Sequence, residues 1–463
     1  MSAQPSSVTL VGAGLAGALL AVLLARRGFE VTLYERRADP RQSRPEGGRS
    51  INLALAARGL AALERAGVMD AVRPLLIPMR GRMVHEIAGA PALQPYGQRP
   101  HELIYSVGRA DLNRVLIAAA TRHPGVRVRF GQLCVGVDAA AGTLQLRDGA
   151  GGAPYELALA ATIATDGAGS AVRAGLARAA LTLVREDWLD HDYKELTLPA
   201  KAGAHALDPH ALHIWPRGGF MLIALPNTDG SFTATLFLPR TGSTSFAALS
   251  TPAQVAAFFA REFPDLLAHA PQLLEEFATH PQGQLGTVHA APWHVAGQVL
   301  LLGDAAHAIV PFHGQGMNAA FEDCVVLDEL LTPRPDWQAL FARFEALRRP
   351  NTEAIAQMAL ENYTEMRESV RAAGYLERKA LAMALERRFP DRFIPRYSMV
   401  MFHPEIGYAE ALHRGAVQQQ LLEDLARENA DAEGARAANL VLERLSPLPQ
   451  PAPVSDSRAR YGR

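Results

Sequence analysis

The sequence predicts an α/β protein with three parts: a doubly wound domain built on a parallel sheet, an antiparallel sheet, and a helical C-terminal region. VTLVGAG is a short apolar strand that leads into a glycine turn and an Ala/Leu helix, and EVTLYE follows as a second strand. Between about residues 181 and 240 apolar and polar residues alternate, with turns at Gly218-Gly219 and Asp229-Gly230, which is typical of antiparallel strands. Beyond Gly314 helical periodicity continues to about residue 447.

The remaining elements follow from the same patterns. The first helix ends before Gly28, the second covers about residues 54–66, and RADLNRVLIAAATRHP is a third. Strands are expected in RGRMVHEIAG, VRVRF, CVGVDAAAGTLQLRDG, ATIATDG and QVLLLGD. These elements predict a first domain at residues 1–75, 104–180 and 290–330, and a substrate-side sheet domain at residues 76–103 and 181–289. A helical region follows at residues 331–447, and a disordered tail at residues 448–463.

Composition and charge argue against several classes of protein. Lys and Arg number 46 and Asp and Glu number 47, so no overall field attracts nucleic acid or an anionic membrane. The two cysteines, Cys134 and Cys324, cannot form a disulfide framework, which fits a reducing cytoplasm. Residues 8–25 carry no charge over 18 residues, which a membrane helix would also show. No basic residue precedes them, and three glycines interrupt them at a spacing that has another explanation.

That explanation is the motif Gly12-Ala13-Gly14-Leu15-Ala16-Gly17, which follows a strand and opens a helix. The first glycine permits a tight turn, the second lets the backbone approach a pyrophosphate, and the third lets helix and strand pack closely. Glu35 ends the second strand, where an acid can bind ribose hydroxyls. A tight turn beside a charged strand end is the alternative, but the strand–turn–helix context favours a Rossmann-like dinucleotide site.

Two further strand ends favour FAD over a nicotinamide cofactor. ATDGAGSAVR ends a strand on Asp166, and QVLLLGDAAH ends one on Asp304. An acid at the carboxyl end of a buried strand is poorly placed for packing but well placed for a ligand hydroxyl. Asp304 suits the ribityl chain, and the segment from Gly314 to Asn318 suits a helix N-terminus directed at the flavin.

The segment LLGDAAHAIVPFHGQGMN also suggests two other chemistries. Asp304, His307 and His313 could ligate a metal, but neither cysteine is near in sequence and Pro311 makes the segment a bent loop, so we expect no metal. A serine nucleophile would need a G-x-S-x-G motif, and none occurs in the sequence. Cys324 lies in an apolar helical run, which is typical of a buried, inert thiol.

Together, GAGLAG, ATDGAGSAVR and LLGDAAHAIVPFHGQGMN resemble the single-component FAD-dependent aromatic hydroxylases, and these motifs are general to that class. GRSINLALAARG, HIWPR and ALENYTEM are more specific, and they are similar to the members that act on kynurenine. The resemblance implies that NADPH reduces bound FAD, that oxygen adds as a flavin C4a-hydroperoxide, and that one oxygen atom passes to L-kynurenine to give 3-hydroxykynurenine. The implied partners are L-kynurenine, O2 and NADPH, with no nucleic acid or membrane, and we expect a monomer or homodimer.

The resemblance also implies roles for individual residues. Arg82 would bind the substrate carboxylate, for which its forked, always charged guanidinium is suited. Three polar residues would hydrogen-bond the amino-acid end of the substrate: Tyr96, Asn362 and Tyr397. Phe312 and His313 would border the flavin where oxygen is activated. The positions expected to contact FAD, including the glycines and acids described above, are Gly12, Gly14, Leu15, Gly17, Glu35, Arg36, Arg37, Ala54, Arg109, Leu133, Asp166, Asp304, Gly316, Met317 and Asn318.

Without the resemblance, these residues allow plainer interpretations. Arg82 could be a solvated strand residue, and Arg36 and Arg37 could belong to a solvated loop. Asn362 shares a helical face with Glu365 and two methionines, which suits a pocket wall and a satisfied core amide equally well.

The function also has alternatives. They are a sister hydroxylase of another aromatic carboxylate, a flavin reductase or dehydrogenase that inserts no oxygen, and a non-catalytic FAD-binding regulator. Eukaryotic relatives carry a C-terminal membrane-anchoring segment, and residues 440–463 contain no comparable apolar run. This departure from the eukaryotic pattern predicts a bacterial-type enzyme.

Overall fold

The computed structural model describes residues 6–42, 52–149, 151–367 and 374–449. Contacts divide the chain into two units, Met1–Ser369 and Val370–Arg463. Residues 48–51 of the motif GRSINLALAARG and residues 450–463 of the predicted disordered tail lie outside the described residues.

Among the described residues, the strands all lie in the first unit. In chain order they are β1 (Ser7–Val11), β2 (Glu30–Glu35), β3 (Asn52–Leu55), β4 (Ile77–Met79), β5 (Gly81–Val84), β6 (Ala92–Pro95), β7 (Ile104–Gly108), β8 (Val126–Phe130), β9 (Gln132–Asp138), β10 (Thr143–Asp148), β11 (Pro154–Ala158), β12 (Thr162–Ala164), β13 (Leu183–Leu198), β14 (Leu212–Pro216), β15 (Met221–Pro226), β16 (Phe232–Pro239), β17 (Gln282–Ala291), β18 (His294–Val295) and β19 (Val299–Leu301).

Helices occur in both units. They are α1 (Leu15–Arg26), α2 (Ala57–Ala66), α3 (Met69–Val72), α4 (Arg109–Thr121), α5 (Ala171–Arg178), α6 (Pro252–Glu262), α7 (Pro264–Leu267), α8 (Leu273–Thr279), α9 (Asp304–His307), α10 (Gly316–Leu330), α11 (Trp337–Arg367), α12 (Tyr375–Arg388), α13 (Arg396–Phe402), α14 (Tyr408–Arg427) and α15 (Ala435–Arg444). Short 3-10 turns cover Arg73–Leu75, Phe246–Ala248 and Pro311–His313.

A six-stranded sheet confirms the predicted doubly wound domain. Its order is β18-β19-β12-β1-β2-β8, and every neighbouring pair except β18–β19 is parallel. The strands are short and apolar because both faces of the sheet are covered, and Leu10, Leu33, Ile163 and Leu300 are fully buried. The carboxyl ends of β19, β12, β1 and β2 therefore lie side by side at one edge, where ligands bind in folds of this type.

The uncharged run at residues 8–25 is divided between β1 and α1. Helix α1 is apolar on all sides because it contacts the sheet, α4 and α10, and Leu19, Leu20 and Leu24 are fully buried. Across the part of the chain that the structure describes, no helix combines the length and apolar character needed to cross a bilayer.

A seven-stranded sheet forms the other large layer of the first unit. Its order is β17-β13-β16-β15-β14-β5-β6, and its pairs are antiparallel except β14–β5, which is parallel. The predicted turns at Gly218-Gly219 and Asp229-Gly230 are confirmed, because they join β14 to β15 and β15 to β16. The aromatic side chains of α6 and the turn after it pack on one face of this sheet around Trp215. The other face contacts Phe312 and helix α11.

Two predictions about elements were wrong or incomplete. The helix predicted over residues 54–66 begins only at Ala57, because Asn52–Leu55 pairs as β3 with β7. Residues 252–279 form α6, α7 and α8 within the region predicted as a sheet domain. The start of α6 has a local signature, since Thr251 and Gln254 form a reciprocal capping box around Pro252.

The second unit contains α12, α13, α14 and α15. Its own core includes Leu385, Phe393, Leu421 and Leu440, all of which are buried. Arg388 donates hydrogen bonds to the carbonyl oxygens of Ala432 and Gly434, and this fixes the turn before α15 to the end of α12.

Candidate active site

The glycine turn between β1 and α1 has the geometry of a phosphate-binding turn. Gly12 has a φ of +96°, and a Cβ on it would lie 2.6 Å from the carbonyl oxygen of Thr165. A Cβ on Gly17 would lie 2.1 Å from the carbonyl oxygen of Gly12, whereas nothing lies within 4 Å of one on Gly14. Gly12 and Gly17 are thus required by packing, and Gly14 leaves open space at the N-terminus of α1. That space suits a pyrophosphate.

Glu35 ends β2 as a buried acid beside this turn. Its Oε2 accepts a hydrogen bond from the N–H of Ala13 at 2.8 Å, and its Oε1 accepts from the backbone N–H and Nε of Arg37 at 2.9 and 2.8 Å. Burial raises the pKa of Glu35, but the hydrogen bonds and charge of Arg37 outweigh it, so the pKa lies below its usual value. The Arg37 side chain is 59% exposed, so it can move aside for a ribose hydroxyl.

Asp166 and Asp304 follow the adjacent strands β12 and β19. Asp166 Oδ2 accepts from the N–H of Ala171 at 2.9 Å, while its buried Oδ1 has no hydrogen-bond partner among the described residues. Burial raises the pKa of Asp166. An unsatisfied buried acceptor at this edge fits a cofactor hydroxyl or water. Asp304 begins α9 directly after Gly303, whose φ is +61°.

The N-terminus of α10 completes the proposed cofactor site. We use the term cofactor cradle for this helix start together with the glycine turn and the strand ends at Glu35, Asp166 and Asp304. Gly316, Met317 and Asn318 form its first turn. Asn318 Oδ1 accepts from the N–H of Ala56 at 2.9 Å, and its Nδ2 donates to the carbonyl oxygens of Ala54 and Gly314, each at 2.9 Å. The side-chain amide therefore ties the loop after β3 to α10. The helix N-terminus itself provides the N–H groups that a cofactor can use.

Arg82 lies in a separate buried cluster on the seven-stranded sheet. It is 7% exposed and lies on β5, facing α11. Its Nη2 donates to Asn362 Oδ1 at 3.4 Å, and its Nη1 lies 3.5 Å from Glu365 Oε1. The cluster combines a buried cation and a buried amide with a half-buried acid. Such a set can bind a zwitterion.

The same cluster is connected to the segment that precedes α10. Asn362 Nδ2 donates to the carbonyl oxygen of Phe312 at 2.6 Å. The Phe312 ring stacks on Tyr363 with centroids 3.9 Å apart, and Phe237 meets it edge-on at 4.9 Å. His313 follows Phe312 and is 6% exposed. Three aromatic rings and the polar cluster thus lie beside the segment that leads into α10.

Comparison with known proteins agrees with this geometry. Residues 6–358 match the family described as FAD binding domain. The kynurenine 3-monooxygenase of Xanthomonas campestris pv. campestris (strain 8004) is 49% identical over 451 residues, which cover 96% of this chain and 98% of that protein. The chain belongs to the kynurenine 3-monooxygenase family. The kynurenine 3-monooxygenase of Myxococcus xanthus (strain DK1622) is 48% identical over 450 residues, covering 96% of this chain and 97% of that protein.

Solved structures share the fold of this kynurenine 3-monooxygenase family member at lower identity. A tetrameric form of 2-methyl-3-hydroxypyridine-5-carboxylic acid oxygenase has a TM-score of 0.63 at 21% identity and covers 81% of this chain and 96% of its own. P. aeruginosa PqsL in complex with 2-aminobenzoylacetate has a TM-score of 0.64 at 21% identity and covers 81% of this chain and 100% of its own. Family membership confirms the predicted FAD-dependent monooxygenase class, for which NADPH is the typical reductant.

Several of the residues predicted to contact FAD or substrate lie away from the two clusters just described. Arg36 and Arg109 are exposed at the end of β2 and the start of α4, and Leu133 is partly buried on β9. Tyr96 is buried, and its N–H donates to the carbonyl oxygen of Arg80 at 3.1 Å, so it follows the same hairpin that carries Arg82. Tyr397 lies on α13 in the second unit. Contacts of these residues with FAD or substrate stay predictions.

One buried acid near the cofactor cradle, Asp323, was not predicted from the sequence. Asp323 Oδ2 accepts from the N–H of Gly303 at 3.1 Å and from His307 Nε2 at 2.6 Å, and its Oδ1 accepts from Arg348 Nε at 2.6 Å. Burial raises the pKa of Asp323, but the charges and hydrogen bonds of His307 and Arg348 outweigh it, so the pKa is lowered. Arg348 lies 25 residues beyond Asp323, a separation at which no sequence pattern pairs them.

The Asp323 network has two consequences. It holds the turn at Gly303, and thereby Asp304, against α10. It also occupies His307, one of the three residues considered as metal ligands. Within the described ranges, no group of three His, Cys, Asp or Glu side chains is arranged to hold a metal ion.

Glu365 was noted in the sequence only as an acid on the Asn362 face of a helix. The fold places it opposite Arg82, where its side chain is 34% exposed. The helical spacing alone could not indicate this proximity to Arg82.

Proposed function

We propose that this protein hydroxylates L-kynurenine at C3, converting L-kynurenine, NADPH, H⁺ and O2 into 3-hydroxy-L-kynurenine, NADP⁺ and water. The observation that carries the proposal is the cluster of buried Arg82 and Asn362 with half-buried Glu365, beside Phe312. Kynurenine is an α-amino acid with an aromatic amine, so it needs a site with an ion-pairing end and an aromatic end. The family relationship to kynurenine 3-monooxygenases supports the same substrate.

Arg82 and Glu365 suit the two charges of the amino-acid group. The guanidinium can form a bidentate pair with the substrate carboxylate, and the Glu365 carboxylate can accept hydrogen bonds from the ammonium group. Two of the contacts between Arg82 and its protein neighbours are long, 3.4 Å to Asn362 and 3.5 Å to Glu365. Substrate carboxylate oxygens can replace such weak contacts without leaving a buried charge uncompensated.

Phe312 and Tyr363 suit the aromatic end of the substrate. Their stacked rings, with Phe237 beside them, make an apolar wall that limits access of water. When bound, FAD supplies the electrons from NADPH that activate O2. The aromatic amine of kynurenine already directs electron density to the ortho carbon, so the chain's main tasks are to orient the ring and exclude water.

The residues at the parallel-sheet edge fit FAD. The open space at Gly14 would receive the pyrophosphate, Glu35 would accept adenosine ribose hydroxyls, and the ribityl chain would lie near Asp304. The N-terminus of α10 would face the flavin ring.

We also propose a cytoplasmic location. Cys134 and Cys324 are buried free thiols, and burial raises the pKa of Cys134 to about 12 and that of Cys324 well above its usual value. Such thiols are unreactive and suit a reducing compartment. The oligomeric state, monomer or homodimer, stays a prediction.

The test is NADPH consumption by the FAD-loaded protein with and without L-kynurenine in the presence of ¹⁸O2, with the product weighed by mass spectrometry. Faster NADPH loss together with one labelled oxygen atom in the product is the expected result. Anthranilate and phenolic acids in the same assay distinguish a sister hydroxylase. Stimulation without label in the product would mean that kynurenine is bound but not hydroxylated, and no stimulation would overturn the substrate assignment.

A further inference from the structure

Gln94 lies directly beside Arg82, on the outermost strand of the seven-stranded sheet. Strands β5 and β6 are antiparallel, and Arg82 is in register with Gln94. The N–H of Tyr96 donates to the carbonyl oxygen of Arg80 at 3.1 Å, so these two residues are a hydrogen-bonded pair. Hydrogen-bonded and non-hydrogen-bonded pairs alternate along an antiparallel ladder. Arg82 and Gln94 are therefore also a hydrogen-bonded pair, with Cα atoms about 5.5 Å apart.

The side chains of Arg82 and Gln94 lie on the same face of the sheet. Residues directly opposite each other in an antiparallel pair share a face, and alternate residues of one strand do as well. Val84, two residues after Arg82, packs in the apolar cluster that contains Phe312. Arg82 contacts Asn362 on this face. Gln94 therefore belongs to the face that carries the proposed substrate site.

The side-chain oxygen of Gln94 is a buried acceptor. Gln94 is partly exposed as a residue, but its Oε1 is enclosed, and no donor among the described residues lies within hydrogen-bonding distance of it. A buried acceptor without a partner costs stability, so each case calls for an explanation. A ligand that brings its own donor is an explanation that fits the location beside Arg82.

The orientation of the amide agrees with a ligand that donates. A guanidinium presents donors only, so it repels the NH2 group of a neighbouring amide and attracts the oxygen. Arg82 directs Nη2 to Asn362 and Nη1 to Glu365. The Gln94 oxygen is thus an acceptor placed next to a cation that is engaged with other side chains.

The proposed substrate carries a suitable donor. In kynurenine the carboxylate and the ammonium group are attached to the same carbon, so pairing of the carboxylate with Arg82 brings the ammonium beside the same hairpin. An ammonium group has three N–H donors and no acceptor. Glu365 can accept from one of them, and a second acceptor further offsets the loss of water around the charge. Gln94 Oε1 can be this second acceptor.

The amide can turn towards the ligand without movement of the backbone. The last torsion of a glutamine side chain has a broad energy profile, so rotation about it costs little. The ladder hydrogen bonds hold the backbone of Gln94 against that of Arg82. Rotation also breaks no hydrogen bond of Oε1 to any residue that the structure describes.

We propose that Gln94 is a specificity-determining residue, whose carboxamide oxygen accepts a hydrogen bond from the α-ammonium group of an amino-acid substrate held by Arg82. This inference rests on the proposed function, because it concerns the substrate of that site. An aromatic carboxylate without the ammonium group gains nothing from Gln94, whereas the amino acid gains a charge-assisted hydrogen bond. Gln94 thereby favours an α-amino acid over other aromatic acids.

Gln94→Leu tests this inference with two ligands. One is L-kynurenine, and the other is 4-(2-aminophenyl)-4-oxobutanoate, which has hydrogen in place of the α-ammonium group. We expect the Kd of L-kynurenine to rise roughly tenfold, the value of one hydrogen bond to a charged group, and the Kd of the analogue to stay unchanged. Both Kd values are followed by the change in flavin absorbance on titration of the FAD-loaded protein without NADPH. Gln94→Met, which keeps an unbranched side chain, should give the same pattern.

A measurement without either ligand separates recognition from folding. Replacing Oε1 by an apolar group removes no hydrogen bond to the described part of the chain. The urea midpoints of the FAD-loaded Gln94→Leu and Gln94→Met variants should therefore equal or exceed that of the wild type. Lower midpoints in both variants would show that the amide serves the fold, and they would overturn the inference.

Gln145→Leu is the matched control. Gln145 lies at the surface on β10, where its Nε2 donates to Glu156 at 3.3 Å, and both Kd values should equal those of the wild type. If Gln94→Leu weakens the binding of both ligands by the same factor, or of neither, the inference is overturned while L-kynurenine remains the substrate. If the wild type binds neither ligand, the substrate assignment fails and the role of Gln94 fails with it.

Discussion

Asn362 Nδ2 donates a hydrogen bond to the carbonyl oxygen of Phe312 at 2.6 Å, and Asn362 Oδ1 accepts one from Arg82 at 3.4 Å. One amide therefore joins the guanidinium proposed to bind the substrate to the loop that enters α10 in the cofactor cradle. The two parts of the site lie on different layers of the first unit. Asn362 sets the position of Arg82 relative to the loop that enters α10.

Substitution of Gly14, the second glycine of the turn, should impair FAD binding without impairing folding. A Cβ on Gly14 has nothing within 4 Å, so Gly14→Val should fold, but its side chain fills the space for the pyrophosphate. We expect the FAD content to fall by roughly tenfold or more. Flavin absorbance after purification and circular dichroism measure the two properties.

The matched variant is Gly17→Val. A Cβ at that position lies 2.1 Å from a backbone oxygen, so this variant should be destabilised and not merely free of flavin. Full FAD loading of Gly14→Val would contradict the role assigned to that glycine.

Loss of Arg82 should impair substrate binding without affecting the flavin. Arg82→Ala removes a buried, charge-assisted donor, and we expect the kynurenine Kd to rise by roughly 10- to 100-fold. Arg82→Lys should recover only part of this affinity, because an ammonium cannot pair with a carboxylate through two parallel bonds. Arg80→Ala is the control, since Arg80 is 55% exposed and pairs with Asp208. An unchanged Kd in Arg82→Ala would exclude the carboxylate contact.

Loss of the buried Asp323 side chain should destabilise the protein at the cofactor cradle. Asp323→Ala leaves Arg348 and His307 buried without their carboxylate, and breaking such a pair costs about 3–5 kcal/mol of the free energy of unfolding. Urea unfolding of the holoprotein measures this loss, and FAD retention should fall because the turn at Gly303 loses an acceptor. Glu329→Ala removes a half-exposed partner of Arg65 and should change stability by less than about 1 kcal/mol. Equal effects of the two substitutions would contradict the role of the buried network.

His213 should make the protein sensitive to acid. The pKa of His213 falls from 6.5 to about 4 on folding, so between these values the unfolded state binds more protons. Stability is therefore retained above about pH 6.5 and lost as the pH falls towards 4, by up to roughly 3 kcal/mol from this group. Urea unfolding of the wild type and His213→Gln at pH 7 and pH 4.5 measures the difference. A wild-type acid loss no larger than that of the variant would show that His213 contributes nothing to it.

Local patterns predicted much of the fold and of the elements that carry the proposed cofactor site. The strand–turn–helix unit at Gly12, the strand ends at Glu35, Asp166 and Asp304, and the helix start at Gly316 each depend on a few consecutive residues. Neighbouring parallel strands have their carboxyl ends at the same edge of a sheet, so these residues are expected to lie close together. For this reason the spacing of glycines and acids was sufficient to indicate FAD.

Pairs of residues that meet only through the fold were not predictable. His85 and His213 are 128 residues apart, and Arg82 and Glu365 are 283 apart. Their side chains are ordinary in composition, and no periodicity connects them. The boundary between β3 and α2 was misjudged for the same reason, because Asn52–Leu55 is a strand only through its pairing with β7.

The hairpin of β5 and β6 is at the margin of its sheet, whereas the glycine turn is central to the parallel sheet. The outermost strand, β6, has one neighbouring strand in its sheet, whereas a side chain at Gly12 or Gly17 of the turn would clash with adjacent backbone. The recognition element can therefore diversify during evolution under weaker constraint than the cofactor-binding element. Enzymes that share this scaffold would then be expected to differ in their substrate more often than in their flavin cofactor.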